Sequence, residues 1–154
     1  MCKEIVKKVK VGDVLLNDDE LDLMELEEGR TYTISEKLWN GHQRRLKEHR
    51  LKGNGFGYSL FNRDSNYTST ISARYYKDGS EILIDQSHLG KRPRKLHPIE
   101  AAKLQGYNVG DKRMNGTFVI PVSNNQAYKQ FGNSVSVPVI KAISKEIVKQ
   151  LLIK

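Results

Sequence analysis

The most distinctive spacing of chemically useful residues lies in the segment Gly53-Asn54-Gly55-Phe56-Gly57. Closely spaced glycines let backbone amides approach an anion, as they do in phosphate-binding loops. A dinucleotide-binding loop, however, needs a strand before the glycines and a helix after them, and here a predicted helix comes first. The flanking Arg50, Lys52 and Tyr58 favour a backbone that fits closely into a DNA groove. An ordinary helix-to-strand turn explains the local chemistry equally well.

Residues that could catalyse a reaction or bind a metal do not form a recognisable group. The four histidines and the single cysteine, Cys2, show no spacing typical of a metal site. A reactive thiolate at Cys2 would need an ordered, electropositive setting, and a terminal position beside Lys3 gives little assurance of order, so catalysis by Cys2 is not expected. The carboxylates outside the acidic segment Asp18–Glu28 are scattered singly, and no acid/base pair stands out. We therefore predict no catalytic residue and no metal site in this chain.

The charge is strongly positive and unevenly distributed. The chain has 26 Lys and Arg against 18 Asp and Glu, a formal charge of +8. The first 30 residues carry five basic and nine acidic side chains, whereas the rest carry 21 basic and nine acidic ones. Such a field attracts polyanions, so nucleic acid is the leading candidate partner, ahead of a membrane surface. A merely solvated surface is the alternative, and charge alone does not decide between them.

Length and composition exclude several classes of protein. With 154 residues, we expect one domain or a compact lobe of something larger. No apolar run approaches the roughly 18 to 20 residues that span a bilayer, so we expect no membrane span. One cysteine cannot form an internal disulfide, and no secretory or transit leader opens the chain. These features predict a cytoplasmic protein.

Helical patterns occur in three places. The capping-box spacing of Thr33 and Glu36 predicts a helix from about Ile34 to Leu51, ended by Gly53. One face would carry Leu38, His42, Leu46 and His49, and the second half would be basic through Arg44, Arg45, Lys47, Arg50 and Lys52. Pro98 favours a short helix that ends near Gly106, with Glu100 in its first turn. Beyond Pro138, the apolar spacing of Ile140, Ile143, Ile147 and Leu151 predicts an amphipathic closing helix.

The remaining segments predict strands and irregular chain. Phe56–Phe61 and Thr70–Tyr76 are rich in aromatic and β-branched residues, and the turn signal Asp78-Gly79 predicts an antiparallel hairpin between Thr70–Tyr76 and Ile82–Ile84. We therefore expect an α+β fold. Residues 1–30 predict a weakly ordered entry or linker. The segment Tyr128–Val135 predicts a polar turn in which Gly132 or Asn133 adopts an unusual backbone angle.

Two C-terminal motifs carry a resemblance to a known family. Gln126–Val135, followed by Val137–Ile140, is similar almost residue for residue to the last conserved motif of the DNA cytosine-5 methyltransferases. Arg92–Tyr107 resembles the motif before it, which usually reads R-x-L-T-P-R-E-x-A-R-L-Q-G-F. His97 stands in place of the usual Thr and Ile99 in place of the usual Arg, which affects a hydroxyl cap and one polar contact.

The segments upstream of these motifs resemble the target-recognition region of the bacterial enzymes. They are Leu38-Trp39 through Gly53–Tyr58, and Thr70–Gly79. The Thr70-Ile71 pair occupies the place of the family's Thr-Leu or Thr-Val dipeptide, beside the flipped base. The most similar subgroup modifies the inner cytosine of CC(A/T)GG, which makes that sequence the suggested target.

The resemblance implies a division of the chain and a role for each part. Residues 1–30 would link to a Rossmann-like catalytic domain that is absent here, residues 31–95 would form a small target-recognition domain, and residues 96–154 would carry helices that return to the catalytic domain. The implied DNA-binding residues are Arg44, Arg45, Arg50, Lys52, Gly53, Asn54, Gly55, Phe56, Gly57, Tyr58, Thr70, Ile71 and Arg74. Asn133, Ser134 and Val135 would line part of a pocket for S-adenosyl-L-methionine (AdoMet).

The resemblance covers only the C-terminal part of the family. The family's AdoMet-binding glycine loop, Pro-Cys nucleophile, Glu-Asn-Val motif and Arg-x-Arg motif belong upstream of the matched segments, and none is found there. The resemblance thus implies a part of an enzyme, inactive alone, whose partners are double-stranded DNA and a catalytic half in the same or a separate chain. A stand-alone DNA-binding module and a poorly folded remnant of the enzyme are the two alternatives.

Overall fold

A computed structural model describes residues 9–109 and 117–152, and in these ranges the chain is α+β. The chain divides into two compact units. The first unit comprises the described part of Met1–Thr70 together with Ser80–Leu96, and the second comprises Ile71–Gly79 together with the described part of His97–Lys154. Within the described ranges, no helix combines the length and apolarity needed to cross a membrane.

The first unit begins with a 3₁₀ turn, Val11–Asp13, and helix α1, Asp18–Glu28. Our prediction of weak order was therefore wrong for the acidic segment. Asn17 caps α1, because its side chain accepts a hydrogen bond from the Glu20 amide while the Glu20 carboxylate accepts one from the Asn17 amide. Gly29 ends the helix with a φ of 60°. Three acidic residues in the first turn match the positive end of the helix dipole. Leu21 and Met24 anchor α1 by being buried.

Helix α2, Glu36–Leu51, is the long basic helix expected from the sequence. Its face is confirmed, since His42 is buried and Leu38, Leu46 and His49 are half-buried. The cap is Ser35, whose hydroxyl accepts a hydrogen bond from the Leu38 amide, so the predicted cap at Thr33 was wrong. Thr33 instead forms an antiparallel bridge with Arg94, and this extended pairing delays the start of the helix.

The sheet is smaller than predicted and is parallel. Strand β1, Leu60–Phe61, pairs with β2, Leu83–Ile84, in register Leu60 to Leu83. The predicted antiparallel hairpin was therefore wrong, because Thr70–Tyr76 contributes no strand. Ser72–Gly79 forms successive turns, in which the Tyr75 amide donates to the Ser72 carbonyl and the Gly79 amide donates to the Tyr75 carbonyl. Burial of Tyr75 against Tyr128 outweighs the strand propensity of this segment.

The core of the first unit is built around β2. Leu16, Ile82 and Leu83 are almost fully buried. Ile84 exchanges two backbone hydrogen bonds with Arg94, of 2.8 and 3.0 Å, which ties the last segment of this unit to the sheet. Because β1 pairs with β2, this core also holds the end of the loop that follows α2.

Helix α3, Pro98–Leu104, confirms the predicted short helix of the second unit. His97 acts as its cap, because its Nδ1 accepts a hydrogen bond from the Ile99 amide, at 3.2 Å. Glu100 completes a capping box by accepting from the His97 amide, at 2.7 Å. A ring nitrogen therefore caps the helix at the position where the family that the sequence resembles usually has a Thr hydroxyl.

Helix α4, Asn124–Asn133, replaces the polar turn that we predicted for Tyr128–Val135. Among the described residues only glycines have a positive φ, and Gly132 is not one of them, so the predicted unusual angle was also wrong. A Cβ on Gly132 would overlap the backbone of Ser72 and Ala73. Gly132 is therefore required for a close approach of two chain segments, and its helical backbone is ordinary.

Helix α5, Val137–Leu152, confirms the predicted closing helix. The Val137 amide donates to the Gln105 carbonyl at 2.8 Å, which attaches the start of α5 to the end of α3. Gly106, with a φ of 84°, lies against Pro138 so closely that a side chain there would overlap the proline ring. The apolar positions Ile140, Ile143 and Ile147 are 46 to 54% exposed.

Candidate nucleic-acid interface

The basic half of α2 presents its charges to solvent. The five exposed cationic side chains are Arg44, Arg45, Lys47, Arg50 and Lys52. Arg44 is 77% exposed, and its Nε lies 3.7 Å from the Glu48 carboxylate one turn later. Solvent-exposed guanidinium and ammonium groups in one helical half form the kind of surface that binds phosphates.

The loop after α2 uses its glycines in different ways. Gly53 has a φ of 70° and ends the helix, and the Asn54 amide donates to the His49 carbonyl at 2.9 Å. Gly55 has open space around the position of a side chain. A side chain on Gly57, in contrast, would run into the Leu46 side chain. Gly57 therefore lets the loop lie directly on α2.

Two aromatic residues of this loop have opposite environments. Tyr58 is half-buried and packs edge-on against Trp39, with ring centroids 4.9 Å apart. Phe56 is 70% exposed, and its ring makes a T-shaped contact with the ring of His49, with centroids 5.7 Å apart. Tyr58 thus anchors the loop to α2, whereas Phe56 presents a ring to solvent.

A small cavity lies between α2 and this loop, and we call it the α2 cavity. Its volume is about 120 Å³, and its lining includes His42, Arg45, His49, Phe56, Tyr58 and Ser80. Sequence reasoning placed His42 and His49 on the half-buried face of α2 and assigned them no binding role. The signal that points to the cavity is their spacing, since residues 42, 45 and 49 follow one face of a helix.

The other predicted DNA-binding residues are divided between the units. Thr70 is exposed and ends the first part of the first unit, whereas Ile71 and Arg74 belong to the second unit. Ile71 is only 4% exposed, and Arg74 is exposed within the turns of Ser72–Gly79. Of these three residues, Thr70 and Arg74 present side chains to solvent. Their contact with DNA stays a prediction.

The residues predicted to line the AdoMet pocket lie at the end of α4. Asn133 and Val135 are exposed, Val135 by 59%. The Ser134 hydroxyl donates to the Phe131 carbonyl at 2.8 Å, and the Gln105 amide group donates to the same carbonyl at 2.9 Å. The buried Phe131 thus fixes the backbone from which Asn133 and Val135 project, and their role stays a prediction.

A second polar cavity, of about 380 Å³, lies in the first unit. His88 Nε2 lies 3.0 Å from the Asp18 carboxylate at its edge. The hydrogen bond with His88 lowers the pKa of Asp18, and the charges of His88 and Arg63 lower it further against an opposing effect of burial. Across residues 9–109 and 117–152, no three His, Cys, Asp or Glu side chains are grouped as metal ligands.

Comparisons with known proteins agree on one family. A family model described as C-5 cytosine-specific DNA methylase matches residues 3–149. The chain is similar to the type II methyltransferase M1.ScrFI of Lactococcus lactis subsp. cremoris, with 52% identity over 153 residues, and to M.SsoII of Shigella sonnei, with 54% identity over 144 residues. These matches cover 98% and 94% of this chain but only 34% and 33% of the relatives.

A solved structure shares the fold. The Dnmt2 methyltransferase of S. pombe superposes with a TM-score of 0.64 at 13% identity, over 98% of this chain and 43% of that protein. This similarity concerns the fold alone. The chain spans about a third of the length of the curated relatives it matches.

Proposed function

The chain belongs to the C-5 cytosine-specific DNA methylase family, and from this premise we propose that it forms the DNA-recognition part of an AdoMet-dependent DNA (cytosine-5-)-methyltransferase. The enzyme would serve a cytoplasmic restriction-modification or related methylation system. The proposal is supported most directly by the exposed cations in the second half of α2, next to the glycine-rich loop. The target CC(A/T)GG is a hypothesis that the sequence resemblance alone carries.

DNA recognition would combine two kinds of contact. Arg44, Arg45, Arg50 and Lys52 would bind backbone phosphates, which position the protein without reading sequence. The loop Gly53–Tyr58 would approach base edges, because Gly55 has no side chain and leaves its backbone open. Phe56 would contribute apolar contact through its exposed ring.

The end of α4 fits one wall of a cofactor pocket. AdoMet is a polar molecule with an aromatic base, and Asn133 and Val135 offer an amide and an apolar side chain that the fold of this unit leaves exposed. When bound, AdoMet supplies the methyl group for transfer. The contribution of this chain would be to hold the cofactor through these residues.

The catalytic part would come from chain beyond these 154 residues. The Pro-Cys and Glu-Asn-Val motifs expected for the family are not in this sequence, so we expect no methyl transfer by this chain alone. The target base must also leave the helical stack, which costs a few kcal/mol. This part of the enzyme would bind the DNA on either side of that base.

The exposed face of α5 favours this proposal over a stand-alone DNA-binding module. None of the described residues of α5 is buried, and its apolar side chains remain about half exposed. An apolar helical face of this length usually contacts another protein surface. We propose that the catalytic part covers it.

DNA affinity measured as a function of salt tests the proposal. We expect the 154-residue chain to bind duplex DNA with a steep salt dependence and to gain affinity when the catalytic part and an AdoMet analogue are added. Binding that does not respond to the catalytic part would favour the stand-alone module. No salt-dependent binding by a folded chain would contradict the recognition role.

A further inference from the structure

The guanidinium of Arg74 is not used to hold the fold together. Its side chain is exposed, and it makes no ion pair or hydrogen bond with the residues that the structure describes. Arg63 and Arg92, in contrast, donate to the backbone carbonyls of Leu16 and Ile34. Those two arginines stabilise the packing of the chain, whereas the donors of Arg74 are available to a ligand.

The backbone that carries Arg74 is held against α4. Tyr75, directly after it, is fully buried, and its ring packs edge-on against Tyr128 with centroids 5.3 Å apart. Gly132 lies against the backbone of residues 72–73, directly before Arg74, with no room for a side chain between them. Contacts with α4 therefore fix the chain immediately before and immediately after Arg74.

Hydrogen bonds within the turns add to this rigidity. The Arg74 amide donates to the Ser72 hydroxyl at 3.2 Å, and the Arg74 carbonyl accepts from the Lys77 amide at 2.9 Å. The Gly79 amide donates to the Tyr75 carbonyl at 3.1 Å. Reading a base requires donors at defined positions, whereas a phosphate contact only positions the protein, so a rigid support favours a base contact.

Arginine matches the edge of one base in particular. In the major groove guanine presents two acceptors, O6 and N7, and arginine donating to both is the commonest specific contact. Adenine presents an acceptor and a donor there, so it would place a donor opposite one guanidinium N–H. Lys77, which is exposed in the same turns, carries its charge on a flexible stem as a single ammonium group. Lys77 therefore suits a phosphate, and Arg74 suits a guanine.

We propose that Arg74 reads one guanine of the target DNA through O6 and N7 in the major groove and so determines specificity at one base pair. The inference rests on the proposed function, because a DNA-recognition part is what brings this turn to base edges. It deepens that function by separating one base-reading cation from the phosphate-binding cations of α2 and from Lys77.

Guanine analogues in the DNA test this assignment. A duplex that the 154-residue chain selects from a randomised pool is synthesised with 7-deazaguanine at each guanine in turn, which replaces the N7 acceptor and keeps base pairing. We expect one guanine at which the analogue weakens binding about tenfold, as for loss of a hydrogen bond to a charged group. Hypoxanthine at the same position removes only the minor-groove amino group and should have little effect.

Variants of the chain assign this response to a residue. Arg74→Ala should lose the response to 7-deazaguanine and should accept other bases at that position when the selection is repeated. Arg74→Gln should shift the preferred base toward adenine, whose edge matches a carboxamide. Lys77→Ala removes the same charge from the same turns and should keep the response. Circular dichroism checks that each variant is folded, as expected for exposed positions.

The outcomes also distinguish this inference from the proposed function. A flat 7-deazaguanine profile for the unmodified chain, or the same response in Arg74→Ala, would overturn the guanine contact while DNA recognition stands. An undiminished preference for guanine in Arg74→Gln would overturn it as well. Failure of the folded chain to enrich any duplex would overturn DNA recognition, and the guanine contact with it.

Discussion

Gly132 in α4 lies against the backbone of Ser72 with no room for a side chain between them. This contact joins the last conserved motif that we identified in the sequence to the segment that follows the Thr70-Ile71 pair. Both segments belong to the same unit. Their packing therefore fixes the position of the backbone that carries Asn133 and Val135. The contact explains a glycine that sequence reasoning had attributed to an unusual backbone angle.

We predict that Gly132→Ala lowers the free energy of unfolding by about 1–3 kcal/mol, because the added methyl group must displace backbone atoms of Ser72 and Ala73. Gly41→Ala is the matched control, since Gly41 is also helical and has open space at its Cβ position. That change should stabilise α2 by up to about 1 kcal/mol. Urea titrations followed by circular dichroism measure both, and equal effects of the two substitutions would contradict the close approach.

We predict that replacing Arg44, Arg45 and Arg50 together with Ala weakens DNA binding about equally for all sequences. The slope of log affinity against log salt should become shallower by roughly 0.9 for each phosphate that the protein no longer neutralises. The triple replacement of Lys141, Lys145 and Lys149 on α5 removes the same charge from another helix and should have a much smaller effect. Fluorescence anisotropy at several salt concentrations gives the slopes, and weaker binding confined to one DNA sequence would argue against phosphate contacts.

We predict that Asn133→Ala weakens AdoMet binding by the assembled enzyme about fivefold, as expected for removal of one hydrogen bond of about 1 kcal/mol. DNA preference should not change, because Asn133 at the end of α4 is not among the residues predicted to bind DNA. Asn125→Ala, an exposed position at the opposite end of the same helix, serves as the control. Calorimetric titration with AdoMet measures the affinity, and altered DNA preference with unchanged AdoMet affinity would mean that the motif has been misassigned.

We predict that Asp18 contributes to stability in a pH-dependent way. The hydrogen bond with His88 lowers the pKa of Asp18 in the folded chain below its ordinary value of 3.8. The contribution is therefore present above that value and is lost as the pH falls through the folded pKa. Because the Asp18 side chain is 40% exposed, this contribution to the free energy of unfolding should be no more than about 1 kcal/mol.

Two variants isolate the contribution of Asp18. Asp18→Asn should lower the urea midpoint at pH 6, and the difference from the unmodified chain should shrink below about pH 4. Asp19→Asn removes the same charge from the same helical turn without the contact to His88. A pH-independent difference for Asp18→Asn, or an equal effect of Asp19→Asn, would contradict the pair.

Sequence patterns predicted the helices that have a clear apolar face or clear ends. In α2 the spacing of His42 and Leu46 gave the buried face, and in α3 Pro98 and Glu100 marked the first turn. The exact start of α2 was not predictable, because Thr33 is held by pairing with Arg94, a residue distant in sequence. Local capping patterns contain no information about such a partner.

The errors arose where packing overrides local propensity. Tyr75 and Tyr76 favour a strand by residue type, yet burial of Tyr75 against Tyr128 places them in turns. In α4 the buried Ala127, Tyr128 and Phe131 follow a helical spacing, but the polar residues between them suggested a turn. The spacing of His42, Arg45 and His49 places them on one face of α2, but it does not reveal that the loop at Tyr58 folds back on His42 to close the α2 cavity.

A chimeric enzyme tests the central claim most directly, namely that this chain supplies the DNA recognition of a cytosine-5 methyltransferase. The catalytic part of a family member that methylates a different sequence is joined to this chain, and bisulfite sequencing of the treated DNA locates the methylated cytosines. We predict that an active chimera methylates a site that differs from the donor's own and that this chain alone methylates none. An active chimera that retains the donor's site would contradict the account.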